Sequence, residues 1–175
     1  MKKSSFVRAA LLSTAALCFH AYAADGAVHF TGTIVDSTCT VTNTVGSPLE
    51  VNLGKVSKTI FTGAGATSNK VKFSIALTDC NGVAVPKANV TFEATPASGD
   101  NTVIALDDES GVATGVGVKL YDKSGADLPL NTASTDYDLV AGDNNLDFFA
   151  SYVATSTTVT SGAASATANF NIFYP

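Results

Sequence analysis

The chain has 175 residues, 46% of them hydrophobic and 14% charged, with a formal charge of −5 at pH 7. That length bounds the fold at one domain of moderate size. Ten Lys and Arg against 15 Asp and Glu exclude the clustered positive surface that nucleic acid or an anionic membrane requires.

The first element is a secretion signal. Met1-Lys2-Lys3 and Arg8 form a positive leader, Ala9 to Phe19 is an apolar run, and Ala21-Tyr22-Ala23 is an A-x-A cleavage sequence. Cleavage is expected between Ala23 and Ala24. The run is too short to span a bilayer, and Leu17 ahead of Cys18 argues against lipoprotein processing, where a small residue is expected. Removing residues 1–23 from the 175 leaves 152, and with Lys2, Lys3 and Arg8 gone the formal charge becomes −8. The mature chain keeps no arginine and no further membrane-spanning segment, and its lysines are scattered.

Directly behind the signal, Gly26, Val28, Phe30, Gly32 and Ile34 alternate, so in an extended strand they share one face. Two glycines on that face indicate close approach to another surface. The strand either packs on its own core or completes another sheet, and the residue pattern alone favours the first. Val35-Asp36-Ser37-Thr38 then leaves barely room for a reversal before Cys39. Cys39 and Cys80, the two cysteines left after cleavage, are most simply one disulfide in an oxidising compartment. Two cysteines and one histidine cannot complete a zinc site.

From here period two dominates. Leu49, Val51 and Leu53 alternate, as do Val71, Phe73, Ile75 and Leu77; then Val90 and Phe92; then Val116, Val118 and Leu120. Leu146, Phe148, Ala150 and Tyr152 follow, and the last strand is read as Ala166 to Tyr174, with Ala168, Phe170, Ile172 and Tyr174 on one face. Turn-rich breaks separate them, among them Asn81-Gly82, Pro96–Asn101, Gly111–Gly115 and Gly142–Asn145. With no amphipathic helical window, the fold class is an antiparallel all-β sandwich.

Catalytic and cofactor readings find no support. His29 faces opposite to Val28 and Phe30 and reads as a strand residue rather than a base. No nucleophile elbow, paired zinc histidines or phosphate-cradling loop occurs. Asp107-Asp108-Glu109 reads as a solvated turn, because it lacks the spaced oxygen ligands of a calcium loop. Neither an enzyme nor a cofactor is expected.

The apolar-x-aromatic-x-Gly-x-aliphatic strand, Cys39, the Leu53-Gly54 turn, Phe73-Ser74-Ile75-x-Leu77-x-Asp79-Cys80, Gly115-Val116-Gly117-Val118 and the penultimate Tyr174 occur in this order. The series resembles the chaperone–usher pilin family, in particular the major, shaft-forming subunits of type 1 fimbriae. The resemblance covers the whole mature chain. It implies an incomplete immunoglobulin-like sandwich lacking its last strand: residues 1–23 as signal peptide, 24–36 as a donor-strand extension and 37–175 as the pilin domain. Val28, Phe30, Gly32 and Ile34 match the donor positions, which moves that strand from its own core to a neighbour. Phe170, Ile172 and Tyr174 match the acceptor groove, and the Pro175 carboxylate matches the group that a chaperone grips. Family chains commonly end in a polar residue, whereas Pro175 has no backbone N–H.

The implied partners are neighbouring pilin subunits, a periplasmic chaperone and an outer-membrane usher. The implied location is a fimbria on the bacterial surface, reached through the periplasm. A minor adaptor pilin uses the same fold and the same donor strand, and sequence separates it only weakly from a shaft subunit. A tip adhesin would need a second, lectin domain, and a stand-alone secreted sandwich would keep the first strand for itself.

Overall fold

The computed structural model describes residues 28–32, 39–80 and 87–175. The expected Ala23–Ala24 cleavage site, Ile34 and the Asn81-Gly82 turn lie outside the described residues. The chain divides into two units, Met1–Ile34 and Val35–Pro175. In the first unit, residues 28–32 form no strand and are exposed.

Among its described residues the second unit is all-β apart from a single 3-10 turn at Lys58–Ile60. Its strands are β1 Thr40–Val41, β2 Val71–Cys80, β3 Lys87–Glu93, β4 Pro96–Ala97, β5 Asp100–Ile104, β6 Val116–Tyr121, β7 Tyr137–Asp138, β8 Gly142–Ala154 and β9 Asn169–Phe173. A six-stranded sheet runs β1-β2-β8-β6-β5-β4, and a three-stranded sheet runs β7-β3-β9. Every ladder is antiparallel. The apolar faces meet in one core that contains Ile75 and Leu77 from β2, Val90 and Phe92 from β3, Leu120 from β6, and Leu146 and Phe148 from β8. Phe92 stands edge-on to Phe148 with ring centres 5.1 Å apart, the arrangement that ring quadrupoles favour.

Most expected strands are present, and the departures have physical causes. Pro96–Asn101, read as a turn, is a hairpin in which Ser98 (φ 51°) and Gly99 (φ 79°) join β4 to β5. Two successive positive-φ residues match the right-handed twist of the strands they connect. β5 was not expected because Val103 and Ile104 are buried on opposite faces, Val103 in a small satellite cluster with Ala97 and Val153 and Ile104 in the main core. Burial on both faces erases alternation. The same happens late in β8, where Ser151 is fully buried and satisfied by the Tyr121 hydroxyl at 3.0 Å. The final strand pairs with β3 only from Asn169 onward, shorter than the expected Ala166 to Tyr174.

Cys39 and Cys80 form a disulfide and are both buried. It ties the start of the domain to the end of β2, across 41 positions. On the chain-entropy model, closing that loop stabilises the fold by about 4 kcal/mol. Cys80→Ser is therefore expected to lower the thermal midpoint and the periplasmic yield, checked by thermal denaturation and by immunoblot of periplasmic extracts.

An ion pair also crosses β2 and β8. Lys72 Nζ lies 2.8 Å from Asp147 Oδ2, and Ser74 Oγ donates to Oδ1 at 2.6 Å. The Lys72 ammonium and the Ser74 hydroxyl hold the Asp147 carboxyl below its ordinary value of 3.8. A depressed folded value means that the stabilisation is present above the unfolded value and is lost as pH falls through the folded one. The thermal midpoint should fall as the pH is lowered through and below about 4, and Asp147→Asn should flatten part of that fall.

Candidate functional site

The core is not closed. Between β9 and the segment Leu49–Gly54 runs a cleft of about 1020 Å³. Its floor is built from both sheets, by Phe73, Ile75, Leu120 and Ala150 on one side and Phe92 on the other. One wall is β9 with its approach, where Ala164, Ala166, Ala168, Phe170, Ile172 and Tyr174 are half-buried and the residues between them are exposed. The other wall is Leu49, Val51 and Leu53, which alternate in the same way with Glu50, Asn52 and Gly54.

Both walls are open backbone edges. β9 ends its sheet, and among the described residues no strand pairs with its outer side. Residues 49–53, expected as a strand, are in no sheet. They have the alternation of a strand without a partner for the ladder. Unpaired N–H and C=O groups along a strand edge form a template for another strand. The cleft therefore presents two hydrogen-bonding rims with an apolar channel between them.

The channel connects with the deepest packing. Phe170 lies 6.4 Å from Phe92, and Phe73 is stacked on Phe148 at 5.7 Å. Ile172 stands opposite the fully buried Val90. Burial pushes the Tyr152 phenol above its ordinary value, so it is a donor, and its hydroxyl bonds the Ala164 carbonyl at 2.9 Å. The charged lining residues are Glu50 and Asp107, both acidic. Such a channel accepts apolar side chains and repels carboxylates. Among the described residues no group of three or more His, Cys, Asp or Glu could hold a metal ion, and no helix is long and apolar enough to cross a membrane.

Of the residues singled out from the sequence, Phe170, Ile172 and Tyr174 line the cleft, while Pro175 is exposed and does not. Val28 and Phe30 are 78% and 88% exposed. A Cβ on Gly32 would meet nothing within 4 Å.

A family model described as fimbrial protein matches residues 28–175, nearly all of the chain that follows the expected signal. This chain belongs to the fimbrial protein family. The fimbrial protein is 39% identical over 174 residues to long polar fimbria protein A of Salmonella typhimurium, covering 99% of this chain and 97% of that one. It is 40% identical over 174 residues to the probable major fimbrial subunit LpfA of Escherichia coli O157:H7, with the same coverage. In fold it is similar to a subunit of a chaperone–usher pilus whose structure accounts for rod uncoiling. That match has a TM-score of 0.63 at 24% identity, over 87% of this chain and 96% of the other.

Sequence reasoning missed two parts of the fimbrial protein's cleft. Leu49–Leu53 was legible as an alternating segment but not as a wall. Asp107, read as part of a solvated turn, is instead bonded to Thr167 beside the cleft.

Proposed function

We propose that this fimbrial protein is the repeating shaft subunit of a chaperone–usher fimbria, and that successive copies are joined by strand donation. In this reading residues 24–36 of one copy lie in the cleft of the preceding copy, with Val28, Phe30 and Ile34 in the apolar channel. Gly32 marks the place where the channel has no room for a side chain. Backbone bonds to the two open edges supply affinity, and the alternating side chains set register. Before assembly, a periplasmic chaperone occupies the same cleft, and the exposed Pro175 carboxylate is its anchoring point. The exchange takes place at the outer-membrane usher, and the product is a surface fimbria. The role is structural, not catalytic.

The observation that carries the reading is the cleft itself. An otherwise packed sandwich leaves a channel of about 1020 Å³ between two unpaired edges, while the apolar residues Val28 and Phe30 are exposed. Neither feature is stable alone in water, and each is what the other lacks.

The test is the state of the secreted protein. Expressed with its chaperone and usher, it is expected to form long SDS-resistant filaments of one repeating subunit, seen by electron microscopy and as a ladder of subunit multiples on unheated gels. Single copies among other pilins would make it an adaptor. A soluble secreted monomer would sink the reading.

A further inference from the structure

β3 supports only half of the acceptor edge. Its ladder ends at the pair Glu93 and Asn169, yet residues 164–168 continue the alternation of β9 and line the cleft. Asp107 holds this unsupported half. Its backbone N–H donates to the Ser165 carbonyl at 2.9 Å. The Thr167 backbone N–H donates to Asp107 Oδ1 at 3.2 Å, and Thr167 Oγ1 donates to Oδ2 at 3.0 Å.

These bonds have the form of a parallel β-bridge centred on Ala166. In such a bridge one residue donates to the carbonyl before the central residue and accepts from the N–H after it. Here the carboxylate of Asp107 takes the place of the backbone carbonyl, which makes the acceptor charged and the bond stronger than a neutral one. Just upstream the chain is fixed again. Ala163 N–H donates to Gly111 O at 3.1 Å, and Ala113 N–H donates to Ala163 O at 2.8 Å. Gly162 permits this, since a Cβ there would lie 2.4 Å from Gly111 O. Asp107 thus holds the backbone of Ser165 and Thr167, while the side chains of Ala166 and Ala168 rest against the core.

We propose that Asp107 is a positioning residue of the strand-acceptor cleft, which keeps residues 164–168 in strand form so that an incoming donor strand meets a preformed edge. This rests on the strand-acceptor reading above. The residues concerned on that edge are alanines and exposed polar residues. Loosening them costs the core little, but their ordering must then accompany binding, which weakens association. Asp100 provides an internal comparison, because it also accepts from a threonine backbone and hydroxyl, at Thr102, but does not line the cleft.

The experiment uses the full chain, kept dilute, and a fluorescent synthetic peptide of residues 24–36, with binding followed by anisotropy and amide protection by hydrogen exchange. Asp107→Ala should weaken peptide binding about tenfold, as expected for bonds to a charged group. Thr167→Val should weaken it less, and Asp100→Ala should leave it unchanged. In Asp107→Ala the Thr167 amide should lose protection while the buried Leu120 amide keeps it. Binding by Asp107→Ala equal to wild type overturns the inference alone. So does weakening that comes only with lost protection at Leu120, which would mark general unfolding. A wild-type chain that takes up no peptide overturns the strand-acceptor reading and this inference with it.

Discussion

Ile172→Asp is expected to abolish incorporation into fimbriae. Ile172 lies in β9 opposite the fully buried Val90 and faces the cleft. A carboxylate there has no cation to pair with, because the charged residues lining the cleft are Glu50 and Asp107. An uncompensated charge enclosed by an inserted strand costs on the order of 3–5 kcal/mol, which is more than a hundredfold in the affinity for that strand. The variant should be captured poorly by the chaperone, be degraded in the periplasm, and be absent from SDS-resistant filaments. Phe173→Asp is the control. Phe173 is 53% exposed and alternates with the residues lining the cleft, so a charge there should be tolerated. If Ile172→Asp assembles as wild type does, β9 is not the acceptor strand.

The sequence is readable wherever one face of a strand is buried and the other is not. Phe73, Ile75 and Leu77 in β2 and Leu146 and Phe148 in β8 follow that rule; β2 lies where its alternation put it, whereas β8 begins at Gly142, so that Gly142–Asn145, expected as a turn, is strand paired with β2. Consecutive burial hides β5, since Val103 and Ile104 pack into different clusters and no period survives. Side-chain pattern records which face is apolar, but it does not record which backbone provides the ladder. That is why Leu49–Leu53 was legible as an alternating segment and yet belongs to no sheet, and why Ala166–Tyr174 was read longer than the ladder of β9. Asp107 was invisible for another reason. Its meaning depends on Thr167, which is 60 positions away, and within its own neighbourhood it is one of three acidic residues in a polar loop. The openness of the cleft is likewise a property of the fold. Phe170, Ile172 and Tyr174 would alternate identically in a strand buried in a complete core.

Deleting residues 24–32 while keeping the signal peptide separates strand donation from self-packing more sharply than any single substitution. Val28 and Phe30 are 78% and 88% exposed, so their removal takes little from the packing of the chain that carries them. The truncated subunit should fold with the chaperone and form its Cys39–Cys80 bridge. It should then fail to extend a fibre, having nothing to insert into the preceding copy. A strand taken from its own core would behave oppositely, since exposing the surface under Val28 and Phe30 at about 25 cal/mol per Å² removes several kcal/mol from a marginal total. Gly32→Leu is the companion change. It should spare the monomer, because nothing lies within 4 Å of a Cβ at Gly32, and should block polymerisation by overfilling a shallow place in the neighbouring cleft. The converse experiment appends a copy of residues 24–34 through a flexible linker after Pro175. Burying Val28, Phe30 and Ile34 at roughly 2 kcal/mol each contributes about 6 kcal/mol. In a domain of this size that raises the melting temperature by on the order of 15 °C, readable by calorimetry on a monomer that no longer polymerises. Normal fibres from the truncated chain, or an appended copy that leaves the melting temperature unchanged, would show that residues 24–34 do not fill the cleft.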